Sequence, residues 1–263
     1  MSAGEKRVEE PTYGYDIRLA APAYAGVMGS VAGFVVTAVV VVFTVTPPHV
    51  HPAKLIGLAT GLLVLGLIGC LVGAFTIAAL SGERRLTANL PASALYSGAA
   101  AAVGFVAVIS AFEVLATVYL PSSKSLFAMI TGASAFVACF FVAMGVGDAY
   151  AAGATQPQPH KTPWIKTQRQ GYRWGLVLSV ASSVPILVGI GLYAAGVHAE
   201  LSTTAVHVLV GVGVIFTVVA GIAALVRTFH ADDGLDEALR IWEPMLLLSF
   251  MSAYLCALIV CLP

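Results

Sequence analysis

Glu113 is the one acid in an otherwise apolar run from Pro91 to Leu120. A carboxylate inside a helix of lipid-crossing length is costly, so such a group faces other helices or a water-filled cavity. Four histidines lie at or near the same end of their segments as Glu113. His49 and His51 sit in Pro48-His-Val-His-Pro52, His198 stands two residues before Glu200, and His207 lies about one turn into the next apolar run. Imidazole and carboxylate together suit zinc, copper, nickel or cobalt. Glu113, His49, His51, His198 and His207 are therefore the candidate metal ligands, and a divalent metal is the only cofactor the residues call for. The spacing is not that of a dedicated site. A polyproline-like 48–52 turns successive residues by about a third of a circle, so His49 and His51 point different ways. Glu113 and His207 make a narrower pair. At 1.5 Å per residue they lie at similar depths, ~10 Å and ~7 Å from the surface. If their helices touch, they can share a proton or bind a cation.

The elements that must carry these residues are membrane helices. Of 263 residues, 59% are hydrophobic and 10% charged, far below the ~25% of a soluble domain. Uncharged runs between the charges are long enough to cross a bilayer, which takes about 20 residues. The expected architecture is all-α: a seven-transmembrane-helix bundle with helices at about 20–46, 54–80, 92–119, 125–148, 173–196, 203–228 and 241–261. Residues 1–18 form a polar tail, 19–263 the membrane domain, and 149–172 a basic, aromatic linker at the headgroup boundary. No cleavable leader is expected, because the first apolar run is too long.

Charge sets the expected orientation. Lys6, Arg7, Arg18, Arg84, Arg85, Lys161, Lys166, Arg169, Arg173, Arg227 and Arg240 fall on one side, and only Lys54 and Lys124 on the other. The basic side is cytoplasmic by the positive-inside rule. This places the N-terminus inside and the C-terminus outside, in a plasma membrane. The Ala-, Val- and Gly-heavy usage suggests a bacterial source.

Other patterns are weaker. Glycines at 57, 61, 69 and 73 form a stripe suited to close helix packing, within the bundle, with a protein partner or in a homo-oligomer. Helices 1–3 and 5–7 share an order of orientations, so a parallel 3+1+3 duplication is conceivable. Gly132-Ala133-Ser134 with His207 resembles the serine and remote histidine of rhomboid proteases, although Ala135 replaces the usual following glycine. Asp232-Asp233-Gly234-Leu235-Asp236 lacks a matching second acidic motif and reads as an acidic loop. The four cysteines lie in apolar runs without C-x-x-C spacing and read as packing residues. Zero net charge argues against nucleic acid. No helix core carries a lysine for retinal, and no histidine pair could hold haem. The leading expectation is a transporter, or transporter subunit, for an ion or small solute, with the lipid bilayer as its partner. The alternatives are a scaffold subunit and an intramembrane enzyme.

Overall fold

The computed structural model describes residues 17–45, 53–82, 89–154, 168–197, 202–232, 240 and 242–263. It contains seven long helices: α1 (Ile17–Val45), α2 (Ala53–Leu80), α3 (Asn89–Tyr119), α4 (Lys124–Ala154), α5 (Gln168–Ala194), α6 (Thr203–Asp232) and α7 (Trp242–Val260). Each is long and apolar enough to span a bilayer, and no strand occurs among the described residues. The outward faces carry large apolar side chains, among them Phe34, Phe75, Met129, Phe141, Ile215 and Phe229. Such a surface is stable in acyl chains and not in water. The protein is a polytopic membrane protein.

Helix ends follow local chemistry. A short 3-10 turn, Pro121–Ser123, joins α3 to α4. α5 stops at Gly196, whose φ of 74° closes a Schellman turn with Gly196 N–H donating to the Tyr193 carbonyl and Val197 N–H to that of Leu192. Pro244 sits in the first turn of α7, where a missing N–H is harmless. Three ends differ from expectation by more than a turn. α4 continues past 148 to Ala154, α5 begins at Gln168 rather than near 173, and α6 runs past 228 to Asp232, the first residue of the expected acidic loop. The Ala-rich 149–154 and Gln168–Gln170 are good helix formers, so the helices run on where the apolar runs end.

α3 is the centre. Of its most apolar stretch 72% is buried, against 17% for α1, which rests on α2 at the edge. Its Ala-, Gly- and Ser-rich sequence makes a thin rod that other helices can surround. The helix pairs sort into two groups. α2 packs on α1, α3 and α6, and α3 also packs on α6. α5 packs on α4 and α7, which also touch each other. The groups meet chiefly along α3–α4, less along α3–α7, while α6 and α7 hardly meet along their backbones. We call this boundary the seam. The two helix triples of the conceivable duplication pack differently: α1, α2 and α3 stack in order, whereas α5 lies on α7 and α6 joins α2 and α3.

The glycine stripe of α2 is not one face. Four residues advance a helix by 40° beyond a full turn, so the stripe winds around α2. Gly57 faces open space, Gly61 meets Val210 of α6, and Gly69 and Gly73 meet α3.

Candidate functional site

Two polar sites stand out, at opposite ends of α3. The first is Glu113, whose side chain is completely buried. It lies six residues before Tyr119, the last residue of α3, ~9 Å along the axis. Its neighbour across the bundle is Tyr193 of α5, whose hydroxyl interacts with the Glu113 carboxyl and donates to the Pro263 backbone oxygen at 3.2 Å. Tyr193 is next to last in α5. Helical side chains lean toward the N-terminus, which here carries the phenol from the helix end back into the bundle. The result is a completely buried carboxyl on α3 with the Tyr193 hydroxyl of α5 near it.

The expected Glu113–His207 pair does not form. α3 and α6 do touch, but His207 is exposed while Glu113 is buried. The inward face of α6 is Val206, Leu209, Gly213, Phe216, Thr217, Ala220, Ala224 and Thr228. His207 lies about 100° round from Val206. Depth along the axis matched, but rotation about it did not. Among the described residues no three His, Cys, Asp or Glu side chains come together as a metal site. His49, His51 and His198 lie outside the described residues. Ser134 is half-buried on α4, which shares no extensive contact with α6, so no Ser134–His207 dyad is assembled. Cys70 and Cys139 are buried free thiols, and Cys256 and Cys261 are half-buried and free.

The second site was not expected. Arg227 of α6 pairs with Glu243 of α7, Nη2 to Oε2 at 2.6 Å, with both side chains largely buried. The same Oε2 accepts the Tyr96 hydroxyl at 2.9 Å, and Oε1 accepts the Arg240 backbone N–H at 3.1 Å. Arg227 Nη1 donates to Asn89 Oδ1 at 3.1 Å. One turn along, Ser93 Oγ donates to the Ala224 carbonyl and lies 2.8 Å from Thr228 Oγ1. Each charge therefore has its counter-charge and further hydrogen bonds, the condition under which a buried ion pair is tolerated. The sequence held one signal for it: opposite charges on consecutive helices, at the end the two share. Read singly, Arg227 and Glu243 pass for ordinary flanking charges.

The two sites have a common feature. Glu113 and Tyr193 lie on opposite sides of the seam, and so do Arg227 or Tyr96 and Glu243. Glu113 stands seventeen residues after Tyr96 on α3, ~25 Å along the axis, close to the ~30 Å of a hydrocarbon core. No protein-family model, curated protein or solved structure matches this chain.

Proposed function

We propose that the protein moves an ion or small solute across the plasma membrane, and that Glu113 is the group its cargo or coupling ion meets. The observation that carries this reading is the complete burial of one carboxyl in the central helix, with a phenol on a neighbouring helix. An ionised carboxylate at such a place costs ~3 kcal/mol even on the lenient insertion scale. An apolar residue would pack the same space at no such cost. The arrangement suits a group that exchanges a cation or proton as the bundle moves. Tyr193, rather than His207, is its partner. The basic ends face the cytoplasm in this reading, so Glu113 lies near the outer surface.

The test is flux in proteoliposomes loaded with dyes for protons, monovalent cations and zinc. Wild type moves at least one of these ions, Glu113→Gln moves none, and His207→Ala behaves as wild type. Equal flux through wild type and Glu113→Gln, or no flux of any ion through wild type, would overturn the ion reading.

A scaffold role is the second reading, and one observation favours it. Gly26, Gly29 and Gly33 of α1 have open space before them, which would admit another helix. A partner held in mild detergent and lost on Gly29→Leu would support that role.

A further inference from the structure

We propose that the Arg227–Glu243–Tyr96 cluster is a latch, which holds one end of the seam shut and parts when the α4–α5–α7 group rocks against the α1–α2–α3–α6 group. This rests on the transport reading of Glu113.

Three observations lead to it. The latch bridges α6 and α7, which are consecutive in the chain yet hardly meet along their backbones. What joins them otherwise is side chains alone: Phe216 stacks on Phe250 with ring centres 5.3 Å apart, and Tyr254 reaches Gly213. Tyr96 ties Glu243 to the central helix, so one carboxylate draws both α3 and α6 to α7. At the far end of the bundle the completely buried Glu113 carboxyl has the Tyr193 hydroxyl near it, from the other side of the seam. Two groups of helices joined along α3–α4, with the latch at one end and the buried carboxyl at the other, can open one end while the other stays closed. A polar latch suits this task. The hydrogen bonds of Arg227, Glu243 and Tyr96 can pass to water on opening, whereas an apolar closure would expose oily surface.

Hydrogen exchange of the full chain in lipid nanodiscs tests the proposal. Glu243→Gln leaves Arg227 without its counter-charge. Exchange should then speed up about tenfold or more at 220–228 and 243–250, as loss of a hydrogen bond to a charged group implies. At the other end, at 113–119 and 189–194, exchange should slow about threefold, because opening the latch draws the Glu113 end closed. Tyr96→Phe should show the same opposed pattern at smaller amplitude, and it carries the test if Glu243→Gln does not fold. Faster exchange confined to the latch end, or faster at both ends, would overturn the proposal, since local loosening gives those outcomes. The flux assay separates this from the reading beneath it. Opposed exchange with normal flux in Glu113→Gln would sink transport through Glu113 and leave the latch. Lost flux in Glu113→Gln without opposed exchange would sink the latch alone.

Discussion

Adding one methyl group at Gly69 should force α2 away from α3. A Cβ at that position would lie 2.6 Å from the Gly104 Cα and 2.8 Å from the Ala100 carbonyl oxygen. Both are backbone atoms, so no side chain can rotate aside. Carbon contacts relax near 3.5–4.0 Å, so the helices must part by ~1 Å there. Overpacking of this kind costs ~1–3 kcal/mol, and a contact limited by backbone belongs at the upper end. Alanine recovers up to ~1 kcal/mol through its better helix propensity. The net loss for Gly69→Ala is then ~1–2 kcal/mol, a factor of roughly 5–30 in the folded-to-unfolded ratio. Gly57→Ala is the control, because its Cβ meets nothing within 4 Å, and it should be neutral or gain up to ~1 kcal/mol. Gly104→Ala pushes on the same contact, 2.8 Å from the Gly69 Cα. It should cost a similar amount, and the double variant should cost less than the sum. Reversible unfolding in mixed micelles measures all four proteins. If Gly69→Ala and Gly57→Ala agree within ~0.5 kcal/mol, the close α2–α3 approach is not what holds the bundle.

Two further outcomes are expected. Tyr254 is buried, its hydroxyl has no hydrogen-bond partner among the described residues, and a methyl at Gly213 would collide with it. Tyr254→Phe should therefore be neutral or stabilising by up to ~1 kcal/mol; Gly213→Ala should cost ~1–3 kcal/mol, and less in the Tyr254→Phe background. Equal costs in both backgrounds would mean the phenol tip does not touch Gly213. Orientation is checked with single cysteines at two exposed ends, Ser202 and Arg240, in a chain freed of Cys256 and Cys261. A membrane-impermeant thiol reagent applied to intact cells should label Ser202→Cys and spare Arg240→Cys; the reverse pattern would invert the topology.

The number and order of helices were legible because lipid imposes one strong rule, a long apolar run for each crossing. That rule is blind to where a helix continues past the bilayer, hence the added turns at Ala154 and Gln168. It also fixes only the depth of a residue. Glu113 could be marked from sequence because one acid in an apolar run is conspicuous. Its partner could not. Tyr193 stands at a helix end, where a tyrosine ordinarily reads as a headgroup anchor, and only the rotation of α5 shows that it turns inward. His207 failed for the converse reason: its depth was right and its face was wrong. The latch escaped because Tyr96 and Glu243 are 147 positions apart, and no periodicity links them before the helices are placed.

The glycines show why the seam is the direction in which this bundle can give. Within the first group, Gly69 and Gly104 set backbone against backbone, and Gly73 and Gly221 receive Ala101 and Val72. Within the second, Gly147 lies against the Gly171 carbonyl, Gly175 against Gly147, and Gly189 against the Cys256 backbone. Contacts of that kind have no slack, because moving one helix moves the other. Across the seam α3 and α4 pack along their length and form the joint, while α6 meets α7 through side-chain tips: Tyr254 toward Gly213, Phe216 on Phe250 and Arg227 on Glu243. Tips can change rotamer while their helices stay intact, so in the rocking proposed above α6 and α7 part at the latch while α3–α4 stays packed. Glu113 stands on one side of that boundary and Tyr193 on the other, so the rocking proposed above is also the motion that would uncover the carboxyl.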